Sequence, residues 1–222
     1  MGELFNIEKV FGFCEKVCYF FTVNLLFVLS NVPVLLFLMF VGAGQIRECF
    51  PLFLLCLLPL AVSLPAVMYA MNRLIGGVET GAFRDYKKEY CRDFLKKAGL
   101  GAGQLFAILL CRTNMEFFAV QLRFVPLAAV FMLLLGVTVL VTPNLYLLAS
   151  RYEMGNVQIV KTAVTLLIAK PGFTLGNVVA FALILAAFEI SAGTTVLFAG
   201  SVYGFLVMFM NQSVMRSLEG GQ

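Results

Sequence analysis

Long apolar runs separated by short polar segments dominate the chain. A helix that crosses the hydrocarbon core of a bilayer needs about 20 mainly apolar residues. Six runs reach this length or come close to it, and the predicted spans are residues 17–41, 50–71, 99–118, 124–149, 173–189 and 193–215. The pattern predicts an all-α, polytopic transmembrane helical bundle, preceded by a short amphipathic lead-in helix over about the first 16 residues.

The composition supports this prediction. The 222 residues are 61% hydrophobic and 13% charged, with a mean hydropathy of +0.96. Soluble domains carry roughly 45–50% apolar and about 25% charged residues, so a water-facing exterior is missing here. We expect residues 1–222 to form a single integral membrane domain in contact with the lipid bilayer.

The distribution of basic residues predicts the orientation of the spans. If the N-terminus is cytoplasmic, 13 of the 16 Lys and Arg residues fall in inner segments, and only Arg47, Arg112 and Arg123 fall in outer ones. Lys and Arg are enriched in the cytoplasmic loops of membrane proteins. The sequence therefore predicts six spans with both termini inside, and cytoplasmic loops at 72–98 and 150–172.

Each cytoplasmic loop is predicted to contain a helix. The first has an aromatic stripe at helical spacing with basic residues around it, and its candidate surface comprises Phe83, Tyr86, Lys87, Lys88, Tyr90, Arg92 and Phe94. Two interpretations stay open: an interfacial helix on anionic lipid, or a docking surface for a partner protein. The mixture of seven basic and four acidic residues from Arg73 to Lys97 argues against nucleic-acid binding. In the second loop, Asn156 is a candidate N-cap of an apolar helix that ends at Lys170.

The two loops are entered through similar segments. Pro65 precedes Arg73, and Pro143 precedes Arg151, in the same P-x7-R spacing and 78 residues apart. An interior proline bends a helix, and an arginine at the inner interface can bind lipid phosphate or a neighbouring carboxylate. Because the offset is two spans, the units would be parallel repeats, which occur in transporters.

Few polar residues interrupt the spans, and they are candidates for function or helix packing. The first span contains Asn24, Asn31 and Pro33, and the asparagines are expected to form hydrogen bonds between helices. Arg112 and Glu116 are spaced to pair on one helix face. Further polar positions are Asn177 and Glu189 in the fifth span, and two G-x-x-x-G motifs, 99–103 and 200–204, predict close helix contacts.

Common enzyme motifs are absent from these 222 residues. The sequence contains no histidine, no P-loop and no G-x-S-x-G motif, and its six cysteines form no C-x-x-C pair. No acidic residue lies deep in a predicted span, which argues against proton-coupled transport. We therefore expect no catalytic, cofactor or metal site, and we interpret the cysteines as small apolar residues.

Three segments resemble the YesL-like family of bacterial integral membrane proteins, whose function is unknown. They are the Pro65–Arg73 segment, the aromatic helix from Phe83 to Phe94, and Tyr146–Glu153 with the apolar helix that runs to Pro171. The resemblance covers nearly the whole chain in span order. It implies a multi-pass protein of the bacterial plasma membrane and an accessory role in carbohydrate uptake beside an ABC-type sugar permease.

Two other functions stay open at this point. One is an autonomous small-solute carrier or channel built on the parallel units. The other is a structural or assembly protein with no transported substrate. Homo-oligomerisation is compatible with each of these functions.

Overall fold

The computed structural model describes residues 7–77, 81–191 and 195–219, which form helices and turns without a β-strand. The α-helices are α1 (Ile7–Ser30), α2 (Val32–Phe40), α3 (Phe50–Cys56), α4 (Leu60–Ile75), α5 (Ala82–Cys91), α6 (Phe94–Glu116), α7 (Val125–Arg151), α8 (Asn156–Ala169), α9 (Pro171–Ile190) and α10 (Ala199–Glu219). A 3-10 helix, Ala43–Gln45, follows α2, and a π-helical turn, Phe117–Gln121, follows α6. The all-α prediction is confirmed.

Prolines determine where several of these helices begin. Pro33, Pro51, Pro126 and Pro171 stand in the first turns of α2, α3, α7 and α9. A backbone N–H in the first turn has no partner within its helix, so proline loses nothing at this position. Pro65 and Pro143 are different, because they lie inside α4 and α7.

The predicted first span, 17–41, is two helices in the structure. α1 runs without a break from Ile7 to Ser30, so residues 7–16 of the predicted lead-in helix are continuous with the span rather than a separate helix. The chain then turns at Asn31, and Pro33 lies in the first turn of α2. Pro33 has no N–H to donate to the carbonyl one turn earlier, which explains the end of α1 close to this point.

The first of the two predicted loops is shorter than residues 72–98. α5 ends at Cys91, and α6 begins at Phe94, five residues before the predicted span. Asp93 separates the two helices with a left-handed backbone, φ 51°. The expectation that one helix carries Phe83 through Phe94 is therefore wrong, since Phe94 opens the next helix.

The second loop forms α8, which ends just before Lys170 as predicted. Gly155 occupies the N-cap position, and the side chain of Asn156 instead donates a hydrogen bond to the carbonyl of Lys96, at 3.1 Å. The N-cap prediction for Asn156 is thus wrong. α8 and α9 are bent by 93° at the break between them. The tight turn predicted before the last span includes residues 192–194, which lie outside the described residues.

α4 and α7 lie at the centre of the bundle. α4 packs against α1, α5, α6, α7 and α10, while α7 also packs against α6, α8 and α9. One core contains Met68 of α4 with Leu145 and Leu148 of α7. A second core joins Val23 of α1 and Tyr86 of α5 to α4. Polar side chains carried by α1, α5, α9 and α10 can therefore meet around these two helices.

The outward surface of the bundle is strongly apolar. Large side chains such as Met39, Leu133 and Ile190 are exposed on α2, α7 and α9. Within the described residues, four helical stretches are long and apolar enough to cross a membrane, and a fifth is counted if the bent pair α8–α9 is one span. Soluble monomers rarely expose such large apolar patches, so this surface is suited to lipid.

Candidate functional site

One face of α5 is fixed to the bundle by a buried carboxylate, Asp85. Its Oδ1 lies 3.1 Å from Nε of Arg73 at the end of α4. The hydroxyl of Tyr19 on α1 lies 3.0 Å from Asp85 Oδ2 and 3.1 Å from the carbonyl of Ala70. Of the two partners predicted for Arg73, lipid phosphate or a carboxylate, the structure shows the carboxylate.

A second buried carboxylate, Glu89, fixes the next turn of α5. Its Oε1 lies 2.8 Å from Nζ of Lys97 on α6, which also donates to the backbone carbonyl of Glu89 at 2.6 Å. Arg92 Nη1 lies 3.4 Å from the other carboxylate oxygen. Burial raises the pKa of the Glu89 carboxyl, and the hydrogen bond and charge of Lys97 act in the opposite direction. A buried charge is costly without partners, so these contacts hold α5 in one orientation.

The two middle residues of the predicted aromatic stripe, Tyr86 and Tyr90, face the bundle. The rings of Tyr86 and Tyr90 stack at 5.8 Å, and the ring of Phe94 follows at 5.9 Å across the break between α5 and α6. The Tyr86 hydroxyl donates to Oγ of Ser30 on α1 at 2.8 Å, and burial raises the pKa of Tyr86. Two of the candidate docking residues, Tyr86 and Tyr90, are thus used in packing.

The opposite face of α5 is exposed and basic. It consists of Phe83, Arg84, Lys87, Lys88 and Cys91, which line a shallow pocket of about 420 Å³. Nζ of Lys87 lies 5.8 Å from the centroid of the Phe83 ring, a cation–π distance. We call these five residues the α5 outer face, which combines three positive charges with one exposed aromatic ring.

The asparagines predicted to join helices in the first span do so. Asn24 is buried, and its amide donates to the carbonyl of Val196 at 2.8 Å while its Oδ1 accepts from the N–H of Gly200 at 2.9 Å. The Asn31 amide donates to the carbonyl of Phe27 and to Oγ of Ser63 on α4, both at 2.8 Å. Each side chain therefore contributes to the packing of α1.

Three further asparagines form a ladder inside the bundle. The Asn177 amide on α9 donates to Oδ1 of Asn144 on α7, and the Asn211 amide on α10 donates to Oδ1 of Asn177, both at 2.8 Å. The Asn144 amide donates to Oγ1 of Thr174 at 3.1 Å. The polar pattern of the sequence indicated Asn177 alone. One asparagine in each of three predicted spans, at a spacing of 33 and 34 residues, is the signal that could have indicated the set.

The remaining polar positions are distributed over the ends of the bundle. Nε of Arg112 lies 3.4 Å from Oε1 of Glu116, as the i, i+4 spacing predicted, and its guanidinium lies 3.8 Å above the ring of Phe50. Glu189 is exposed near the end of α9. Arg151, the last residue of α7, is half-buried. The six cysteines are free thiols.

The two P-x7-R helices have similar neighbours. α4, with Pro65, packs against α5 and α6, and α7, with Pro143, packs against α8 and α9. The last helix of each set packs against the helix that follows it in the chain, α6 against α7 and α9 against α10. The repeated spacing thus corresponds to a repeated packing arrangement. The exposed surfaces of the two sets differ, however. A basic face is exposed on α5, whereas apolar residues such as Val157 and Ile168 are exposed on α8.

Long apolar helices, a lipid-suited exterior and interhelical asparagine contacts define the chain as an all-α integral membrane protein. No family model matches the chain, and neither a curated protein nor a solved structure matches it.

Proposed function

We propose that this protein is an accessory membrane subunit that binds another membrane protein through the α5 outer face. The observation that carries the proposal is the division of α5 into two faces. Asp85 and Glu89 fix one face to the bundle, and the opposite face exposes Arg84, Lys87 and Lys88 beside Phe83. A rigid basic helix with one exposed aromatic ring is suited to an acidic partner surface.

The interfacial-helix interpretation receives less support from these contacts. An amphipathic helix that lies on a bilayer places its apolar face in lipid and its charged face in water. In α5, the stacked Tyr86 and Tyr90 rings are turned toward the bundle. The outward face is mainly charged, so protein docking accounts for it better than insertion into lipid does.

The resemblance to the YesL-like family suggests the partner. We propose an ABC-type permease, or its ATPase subunit, that takes up carbohydrate across the bacterial plasma membrane. The arrangement of six spans with both termini inside belongs to this proposal, since it places α5 in the cytoplasm. It is supported by the charge distribution, because this orientation would put 13 of the 16 basic residues on the cytoplasmic side, where Lys and Arg are enriched.

The experiment is co-purification of the tagged protein from its host in mild detergent. We expect a carbohydrate ABC permease or ATPase subunit to accompany the wild type. The triple variant Arg84→Glu, Lys87→Glu and Lys88→Glu should lose at least about 90% of that subunit, because three attractive contacts become repulsive.

The matched control is Arg123→Glu, which reverses an exposed charge on the predicted outer side. It should retain the partner, and both variants should elute as the wild type does on size exclusion. If no permease or ATPase subunit accompanies the wild type, or if the triple variant retains it fully, the proposal fails.

A second candidate function is an autonomous small-solute carrier, favoured by the repeated packing of α4–α5–α6 and α7–α8–α9. It predicts uptake or efflux by proteoliposomes that contain this protein alone. Asn31→Leu removes the hydrogen bond to Ser63 between α1 and α4 and should then reduce flux in a protein that stays folded. Flux equal to that of empty liposomes would eliminate this candidate.

A further inference from the structure

A cavity of about 680 Å³ lies between α6, α7 and α8, away from the α5 outer face. It exists because α6 presents Gly99, Gly103 and Ala107 at intervals of four residues, so one strip of this helix has almost no side chains. A Cβ atom added at Gly103 would meet no heavy atom within 4 Å. The opposite walls are apolar and include Val141 and Val164.

Polar side chains form part of the cavity wall. The Gln104 amide nitrogen lies 2.5 Å from Oγ1 of Thr142, while its Oε1 is buried without a hydrogen-bond partner among the described residues. Lys161 on α8 lines the cavity and is exposed, and it makes no ion pair within the described part of the chain. The residues that line the cavity include no Asp or Glu. The cavity thus combines apolar walls with one unpaired positive charge.

We propose that this cavity is a binding site for an anionic phospholipid. An acyl chain lies against the glycine strip of α6 and the valines of α7 and α8, and the phosphate of the head group contacts Nζ of Lys161. Basic pockets between membrane helices recognise anionic lipid head groups, because a lysine charge attracts the phosphate. A water-soluble anion would leave most of the apolar wall without a partner. The proposal goes beyond the accessory function and does not depend on it.

The test is native mass spectrometry of the delipidated, detergent-solubilised protein, titrated with phosphatidylglycerol or phosphatidylcholine. We expect one phosphatidylglycerol molecule to bind the wild type in preference to phosphatidylcholine. Gly103→Leu fills the cavity and should weaken phosphatidylglycerol binding at least about tenfold. Gly136→Leu is the matched control, because Gly136 also has open space around it and does not line the cavity.

Lys161→Gln tests the head-group contact separately. It should weaken phosphatidylglycerol binding about fivefold and leave phosphatidylcholine binding unchanged. Lys16→Gln, which removes an exposed charge on α1 away from the cavity, should bind both lipids as the wild type does. Equal binding of the two lipids by the wild type, or unchanged phosphatidylglycerol binding by Gly103→Leu, would overturn the proposal. Melting temperatures within a few degrees of the wild type would show that each variant is folded.

Discussion

Asparagine is the residue type that joins the helices of this bundle where the surroundings are apolar. Its amide both donates and accepts, so one side chain can satisfy two neighbours without bringing a charge into the membrane. The Asn24 amide donates to the carbonyl of Val196, just before α10, and its Oδ1 accepts from the N–H of Gly200 in the first turn of α10. Asn177 does the same with two other side chains. Hydrogen bonds between membrane helices contribute roughly 0.6–2 kcal/mol each.

Asn177→Leu should destabilise the bundle more than Asn211→Leu does. Asn177 is the middle of the ladder, so its loss removes one hydrogen bond to Asn144 and another from Asn211, whereas Asn211→Leu removes only the second. We expect a decrease in the free energy of unfolding of about 1–3 kcal/mol for Asn177→Leu. Denaturation in mixed detergent micelles measures the free energy of unfolding of both variants.

Asn114→Leu is the control for this comparison. The Asn114 amide donates within its own helix to the carbonyl of Leu110, so no second helix loses a contact. It should change the free energy of unfolding by less than about 0.5 kcal/mol. A larger loss for Asn114→Leu than for Asn177→Leu would contradict the structural role of the ladder.

The two G-x-x-x-G motifs show how far the spacing of glycines predicts contacts between helices. The G-x-x-x-G motif at 200–204 does mark close packing, since a Cβ at Gly200 would meet Phe27 and one at Gly204 would meet Val67. The motif at 99–103 does not, because the tight contact in this segment is between Gly101 and Ala61. The spacing of glycines predicts that helices approach closely, but it contains no information on which face of α6 meets α4.

At the scale of the element, α5 is a short helix held by buried ions. Ten residues are too few for a stable helix in isolation, so tertiary contacts must supply its stability. The Asp85–Arg73 and Glu89–Lys97 pairs do this from two sides. The same pairs make α5 sensitive to the loss of either partner, because the remaining charge stays buried.

Lys97→Met should destabilise the protein more than the double variant Glu89→Met and Lys97→Met. The single change leaves the Glu89 carboxylate buried with only the more distant Arg92, at a cost of about 3–5 kcal/mol. The double change removes both buried charges and replaces them with apolar side chains, which is often close to neutral. A double-mutant cycle on the free energy of unfolding measures the coupling between the two residues.

The pair Lys96 and Asp93 is the control, since its 2.9 Å ion pair lies on a more exposed part of the same junction. Exposed pairs contribute about 0–1 kcal/mol, so its cycle should show a coupling below that value. Equal coupling for the two pairs would refute the structural importance of burial at Glu89.

Helical periodicity predicted α5 but not its orientation. Tyr86 and Tyr90 recur at the spacing of one face, and the basic residues cover the adjoining positions, so the aromatic face was identifiable from the sequence. That Asp85 and Glu89 share the buried side depends on Arg73 and Lys97, which lie on α4 and α6. Partners on other helices decide which charges can be buried, and this is tertiary information.

For the whole molecule, labelling of introduced cysteines tests the proposed topology. In a background without the native cysteines, a membrane-impermeant maleimide should label outer positions in intact cells and inner positions only after permeabilisation. The outer positions are Glu48→Cys, Arg123→Cys and Ser191→Cys, and the inner positions are Lys88→Cys and Lys161→Cys. If labelling alternates between outside and inside along the chain, at positions 48, 88, 123, 161 and 191, a membrane span must lie between each neighbouring pair.

The control for labelling is the cysteine-free background, which should remain monodisperse and unlabelled. The same side for Lys161→Cys and Ser191→Cys would mean that α9 does not cross the membrane. Labelling of Lys88→Cys in intact cells would place α5 outside and would also remove the basis of the proposed partner.

The fold class was predictable from composition and run length, because a bilayer requires long apolar helices whatever their arrangement. The same features did not predict the break at Asn31, the continuous α1 or the early start of α6. They depend on single residues, such as Pro33 and the left-handed Asp93, whose effects are local. Hydropathy averages over such positions, so it predicts that long apolar helices are present better than it predicts where they end.

The contact of Asn24 with Val196 and Gly200 has a consequence for biosynthesis. These partners lie 172 and 176 residues beyond Asn24 in the sequence. During translation α1 is made long before α10, so the Asn24 side chain has neither of these partners until Val196 and Gly200 have been synthesised. Completion of the bundle is therefore coupled to the synthesis of this segment, and a chain that stops before it leaves the Asn24 side chain without these two partners.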